Sequence, residues 1–148
     1  MLRIGLVSDT HNLLRPEVLA FLRGSDHILH AGDICGPEVL EALARIAPMT
    51  AVRGNNDRGD WARDLRERET VTFEGVAVHM LHDLKQFKGA EPVQVVVTGH
   101  SHKPKVETRG GILFVNPGSA GARRFSLPIS AGELRIEGSQ VSAHLVQF

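Results

Sequence analysis

Five short polar clusters in this chain each follow directly on an apolar run, and each offers atoms that can bind a metal ion. Asp9-Thr10-His11 follows Ile4–Val7, Gly32-Asp33 follows Ile28-Leu29, and Gly54-Asn55-Asn56-Asp57 follows Met49–Val52. His82 follows Val76–Leu81, and Gly99-His100-Ser101-His102 follows Val93–Val97. Asp9, His11, Asp33, Asn55, His82, His100 and His102 are together too many donors for one ion and suit two. Carboxylate, amide and imidazole donors without thiolates fit Mn²⁺, Fe²⁺, Co²⁺, Ni²⁺ or catalytic Zn²⁺, not a structural zinc site. Two divalent cations balanced by Asp9, Asp33 and a shared hydroxide leave a net charge of about +1, which attracts a phosphate anion. The chemistry implied is two-metal hydrolysis of a phosphoester.

Each cluster also has a plainer reading. Asp9 could cap a turn or helix, Asp33 could cap the helix that starts at Pro37, and Asn55-Asn56-Asp57 is ordinary turn chemistry. Gly32 lets the backbone approach a site closely, and the Asp33 carboxylate could give one oxygen to each of two cations. His100-x-His102 is the most specific element, because two imidazoles at a buried strand end need polar partners. His27, His79 and His144 have no companion motif and read as structural. His30 is placed to support a ligand by hydrogen bonding. Cys35 reads as a small buried hydrophobe.

Strands must carry these clusters to a common edge. Leu2–Val7, Asp26–Ala31 and Met49–Arg53 read as buried strands. Between them, Arg15–Arg23 and Pro37–Ala47 show helical spacing, with proline at the start of each. Two such crossovers imply parallel strands, whose carboxyl ends are where ligands bind in open α/β sheets. All the donors would then line one rim of one sheet. Arg58–Arg68 reads as a loop or short helix around Trp61. From Glu69 onward, strands alternate with turns at Glu74-Gly75, Arg109-Gly110-Gly111 and Glu137-Gly138-Ser139, with a further turn near Asp83–Phe87. Gly132–Ile136 and Gln140–Val146 form a terminal hairpin. The expectation is one α/β domain over residues 1–148, with a parallel half and an antiparallel half.

Composition sets the outer bounds. Seventeen Lys+Arg balance seventeen Asp+Glu, so no overall field is built for long nucleic acid or an anionic membrane. One cysteine in 148 residues excludes an intrachain disulfide and fits a reducing cytoplasm. No apolar stretch has the length of a membrane span, and the N-terminus runs straight into a strand without a signal peptide.

In order, the motifs Asp9-x-His11, Gly32-Asp33, Gly54-Asn55-x-Asp57, His82 and Gly99-His100-x-His102 resemble those of the calcineurin-like metallophosphoesterases. The YfcE-like phosphodiesterase branch is the most similar, from Ser8-Asp9-Thr10-His11-Asn12 through Val115-Asn116-Pro117-Gly118-Ser119. The resemblance implies a four-layer αββα sandwich of two mixed sheets. It implies one metal held by Asp9, His11, Asp33 and His102, and a second by Asp33, Asn55, His82 and His100. A hydroxide bridging the ions would attack phosphorus, with Mn²⁺ the expected ion. Asp33, Asn56 and Asp57 are grouped as catalytic, Asn56 standing where many members carry a histidine that serves as general acid or holds the phosphate. The expected partner is a small phosphoester, most readily a diester with a good leaving group, and a homo-oligomer is allowed. The alternatives are a phosphomonoesterase on the same site, a nuclease or cyclic-nucleotide phosphodiesterase, for which the balanced charge leaves only a short nucleotide diester open, and a non-catalytic protein-binding scaffold like the retromer subunit Vps29.

Overall fold

Strand β1 (Leu2–Val7) is apolar on both faces, and its alternation divides its side chains between two cores. Ile4 and Leu6 pack toward a second sheet, with Leu29, Val78, Met80, Val97 and Leu134. Val7 lies on the other face, with Val18, Leu22, Ile28, Val39 and Leu43 beneath two helices. In the computed structural model, which describes residues 1–89 and 92–148, these two cores organise an α/β sandwich.

The first sheet runs β10-β9-β1-β2-β3, with β2 His27–His30, β3 Met49–Ala51, β9 Ser130–Glu137 and β10 Gln140–Gln147. Strands β1, β2 and β3 are parallel and run to one edge, and the terminal hairpin β9–β10 adds antiparallel on the other side of β1. Helix α1 (Pro16–Leu22) buries Val18 and Leu22, one turn apart. It sits close because Gly5 has no side chain: a Cβ there would lie 2.7 Å from Leu22 Cδ2. Helix α2 (Pro37–Ala44) buries Val39 and Leu43. It ends before the expected Ala47, as the Ile46 and Ala47 amides both turn back to the Leu43 carbonyl.

The second sheet runs β4-β5-β6-β8-β7, with β4 Arg68–Phe73, β5 Val76–Leu81, β6 Val95–Val97, β7 Lys105–Arg109 and β8 Ile112–Asn116. The expected division into a parallel and an antiparallel half does not hold. Here β5, β6 and β8 are parallel, and only the edges β4 and β7 are antiparallel. Both sheets are thus mixed, the first parallel on one side of β1 and the second parallel at its centre. The cause is that the second half makes its crossovers without α-helices, so no helical period marks them in the sequence. Between β5 and β6 the described residues contain only the 3-10 turn Leu84–Gln86. Phe87, just after it, packs on His79 and Phe114, on the side of the sheet away from the first. The segment 58–67 is likewise irregular, with a 3-10 turn at Asp60–Ala62, and the expected loop's last residue, Arg68, opens β4.

Candidate metal centre

Each candidate donor stands just beyond the carboxyl end of a parallel strand. Asp9 and His11 follow β1, Asp33 follows β2, Asn55 follows β3, His82 follows β5, and His100 and His102 follow β6. The expectation of one rim of one sheet needs correction: the donors come from both sheets and meet where the two rims face each other.

The loops are fastened to one another by their backbones. Asp9, His11 and Asn12 donate amides to the carbonyls of Gly32, Asp33 and Ile34, so the first two loops continue the β1–β2 ladder. The sheets are joined at the site by the His100 amide, which donates to Asp9 Oδ2 at 3.1 Å. Close approach depends on glycine at two places. A Cβ on Gly54 would lie 2.2 Å from Asp33 Oδ1, and one on Gly99 would lie 2.0 Å from Ser8 Oγ.

Two donor groups result. Asp9, His11 and His102 form one, and Asp9, Asp33 and His82 the other, with ligand atoms within 4.8 Å of one another in each. Asp9 Oδ1 lies 3.4 Å from His102 Nε2, 3.8 Å from His11 Nε2 and 3.9 Å from His82 Nε2. Asp33 Oδ2 lies 3.3 Å from His82 Nε2 and 3.7 Å from His11 Nε2. One Asp33 oxygen therefore faces both groups, whereas the sequence reading gave each cation its own. Asn55 and His100 extend the second group: His100 Nδ1 is 3.2 Å from Asn55 Oδ1 and 3.3 Å from His82 Nε2.

Among the described residues, buried Asp9 Oδ1 and His11 Nε2 have no hydrogen-bond partner. Buried polar atoms are nearly always paired, and these two point at the same small volume as the other ring nitrogens. A divalent cation of borderline hardness is the group that such a donor set fits. His82 is prepared for it: its Nδ1–H donates to the Ala31 carbonyl at 2.8 Å, which leaves the Nε2 lone pair for the site.

The local field agrees. Burial pushes the Asp33 carboxyl up, but the bonds from His82 and Asn56 outweigh it and hold the group well below the usual carboxylate range. For Asp9, burial is likewise overcome, by His102, His82 and Ser8, and the carboxyl stays charged. His82 is the converse: burial pushes it down, and Asp33 and Asp9 raise it above the ordinary histidine value.

The sequence profile of the calcineurin-like phosphoesterase superfamily domain matches residues 2–139. The chain belongs to this superfamily. A calcineurin-like relative, a probable metallophosphoesterase of Methanothermobacter thermautotrophicus, is 33% identical over 97% of this chain and 91% of its own. A phosphodiesterase of Methanocaldococcus jannaschii is 27% identical over 79% of this chain and 83% of its own. Among solved structures, Vps29 of Chaetomium thermophilum superposes with a TM-score of 0.84 at 21% identity, over 99% of this chain and 87% of that one. That likeness is one of fold.

Two residues grouped as catalytic on sequence stand elsewhere in this calcineurin-like site. The Asn56 amide donates to Asp33 Oδ1 and its side-chain Nδ2 to Asp33 Oδ2, both at 2.9 Å. In this structure Asn56 thus braces the Asp33 carboxylate. Asp57 is buried under the loops and accepts the amides of Gly54, Asp33 and Cys35 at 2.8–3.0 Å. It too is a positioning residue. His30, expected to support a ligand, instead joins two loops. It accepts the Gly32 amide at Nδ1 and so donates from Nε2 to Thr10 Oγ1, 3.0 Å away. Asn116 had no role in the sequence reading beyond its motif. Its Nδ2 donates to the Gly99 carbonyl and to Ser101 Oγ, bracing the His100 turn. His27, His79 and His144 each pair with a Thr or Ser hydroxyl, as structural histidines do.

Proposed function

We propose that this chain is a dinuclear-metal phosphodiesterase acting on small phosphodiesters. The observation that carries the reading is the pair of donor groups sharing Asp9, with buried, unpaired Asp9 Oδ1 and His11 Nε2 between them. Bound divalent cations, Mn²⁺ first among them, supply Lewis acidity toward phosphoryl oxygens and lower the pKa of a shared water.

The chain's own residues do the rest by placement. Asn56 fixes the Asp33 carboxylate in plane, the Ala31 carbonyl fixes the His82 tautomer, and Ser8 and the His100 amide hold Asp9 Oδ2. Water adds to phosphorus, one ester oxygen leaves as an alcohol, and a phosphomonoester remains. Asn56 is braced on Asp33, and its amide is far too weak an acid to protonate the leaving oxygen. General-acid help is worth about 10²–10⁴-fold, so esters with good leaving groups are the preferred substrates.

The test is hydrolysis of bis(4-nitrophenyl) phosphate by purified protein with Mn²⁺, against an Asp33→Ala control. Turnover by the wild type that the control lacks is the expected result. Equal rates would remove the enzymatic reading and leave the protein-binding scaffold. Faster release from 4-nitrophenyl phosphate than from the diester would make the chain a phosphomonoesterase.

A further inference from the structure

The outer face of the second sheet carries a groove that meets the centre described above only at His100. β7, β8 and the turn at Leu84–Gln86 border it, and one end opens on Gly99, His100 and Ser101. Its volume is about 970 Å³, at the upper end for small-ligand sites. Strand register explains its lining. Lys105, Glu107 and Arg109 alternate along β7, and Lys105 and Glu107 stand opposite Asn116 and Phe114 of β8, so cations and an aromatic ring share one face.

Two kinds of chemistry meet there. Phe87 and Phe114 pack edge to face at 5.8 Å, and the Arg109 guanidinium lies 4.8 Å over Phe114. Around them stand four cations, Lys85, Lys103, Lys105 and Arg109, against two acids, Asp83 and Glu107. Both acids are already engaged. Glu107 pairs with Lys105 at 3.2 Å and Arg109 at 3.6 Å, and Asp83 accepts the Lys85 amide. The groove therefore has a positive surplus on a chain whose net charge is zero.

We infer that this groove binds the organic arm of the phosphoester substrate, and that the arm is a nucleoside carrying a further phosphate. The inference rests on the phosphoesterase reading. His100 belongs both to the donor cluster and to the mouth of the groove, so a scissile phosphate at the centre has its ester arm entering there. The Arg109 guanidinium, stacked on Phe114 and itself exposed, extends the Phe87–Phe114 pair into a cationic and aromatic surface for a nucleobase. The surplus cations answer a second phosphate. An aliphatic or neutral arm would meet neither feature.

Two substrates with the same leaving group separate the readings: methyl 4-nitrophenyl phosphate, and thymidine 3′-phosphate 5′-(4-nitrophenyl phosphate). In the wild type with Mn²⁺, kcat/KM is expected to favour the nucleotide by about tenfold or more, the scale of one charge-assisted contact. That ratio falls toward unity in Lys105→Gln/Arg109→Gln, which removes the charges, and falls in Phe114→Leu, which keeps bulk but removes the ring. A wild-type ratio near one, or a ratio unchanged in both variants, overturns the inference. If neither ester is hydrolysed, the phosphoesterase reading fails separately, and binding decides the groove. Saturable amide shifts at Phe87, Lys105 and Phe114 on titration with thymidine 3′,5′-bisphosphate then uphold a nucleotide site. Their absence overturns it and leaves the face to a protein segment.

Discussion

Asp9, His11, Asp33, His100 and His102 all have left-handed backbones, with φ from 47 to 72°. Asp and His enter this region more readily than bulkier side chains, and here the loop bonds hold them in it, so the imidazoles and carboxylates arrive pre-aimed. Asp33 depends on one neighbour in particular. Asn56→Ala removes the side-chain bond to Asp33 Oδ2 and is expected to weaken Mn²⁺ binding by about 10–100-fold, the usual cost of losing a support behind a ligand. Calorimetric titration with Mn²⁺ measures it, and an unchanged affinity would show that the bond does nothing for the centre. His30 makes a separate prediction through pH. Burial lowers its pKa from 6.5 to about 3, so it stays neutral in the fold. Below pH 6.5 the unfolded chain takes up a proton that the folded chain refuses, and stability falls as the pH drops. Near pH 5 this costs about 2 kcal/mol relative to pH 7. His30→Gln lacks that cost, so its urea midpoint should fall less between pH 7 and pH 5 than the wild type's.

At the scale of elements, the centre is made by turns that bind one another's backbones. Asp57 receives amides from the β2 and β3 loops and so links them. Asp57→Ala leaves three buried or half-buried N–H groups without an acceptor and is expected to cost about 2–4 kcal/mol of stability. Urea denaturation without metal reads that loss, and a cost under half a kcal/mol would mean that water replaces the carboxylate. Gly99 joins the two sheets differently. A methyl group there meets Ser8 Oγ and lies 2.7 Å from Asp9 Oδ2, so Gly99→Ala must push the β6 loop off the β1 loop. The expected outcome is loss of Mn²⁺ binding with most of the denaturation midpoint kept, because the two cores lie away from the contact. The reverse pattern, kept binding with lost stability, would show that this approach serves packing alone.

For the whole molecule, the site stands where two sheets with a shared core present their strand ends together. The core holds the rims apart at a set distance, and cations bound by the facing donors would tie them. Mn²⁺ at about 100 times its Kd should stabilise the fold by about 2.7 kcal/mol. For a chain of this size that is a rise in Tm of roughly 5–10 °C, reversed by EDTA and small in Asp33→Ala. A thermal melt with and without Mn²⁺ measures it, and equal shifts in the two proteins would place the binding elsewhere.

The sequence alone singled out the candidate donors that the structure gathers at the facing rims, because each sits where an apolar run stops and the residue type is the signal. It also determined β1, α1, β2 and α2 to within a few residues, since their burial is periodic. Tertiary structure decided what periodicity does not carry. The parallel centre of the second sheet was hidden because, among the described residues, its crossovers carry a 3-10 turn and strand β7 rather than an α-helix. The roles of Asn56 and Asp57 were hidden because both act on the Asp33 loop, more than twenty positions away in the chain. The groove beside His100 was hidden for the same reason. Alternating residues on β7 become a binding surface only when β8 and the Leu84 turn are laid against them, and contact in space has no fixed spacing in sequence.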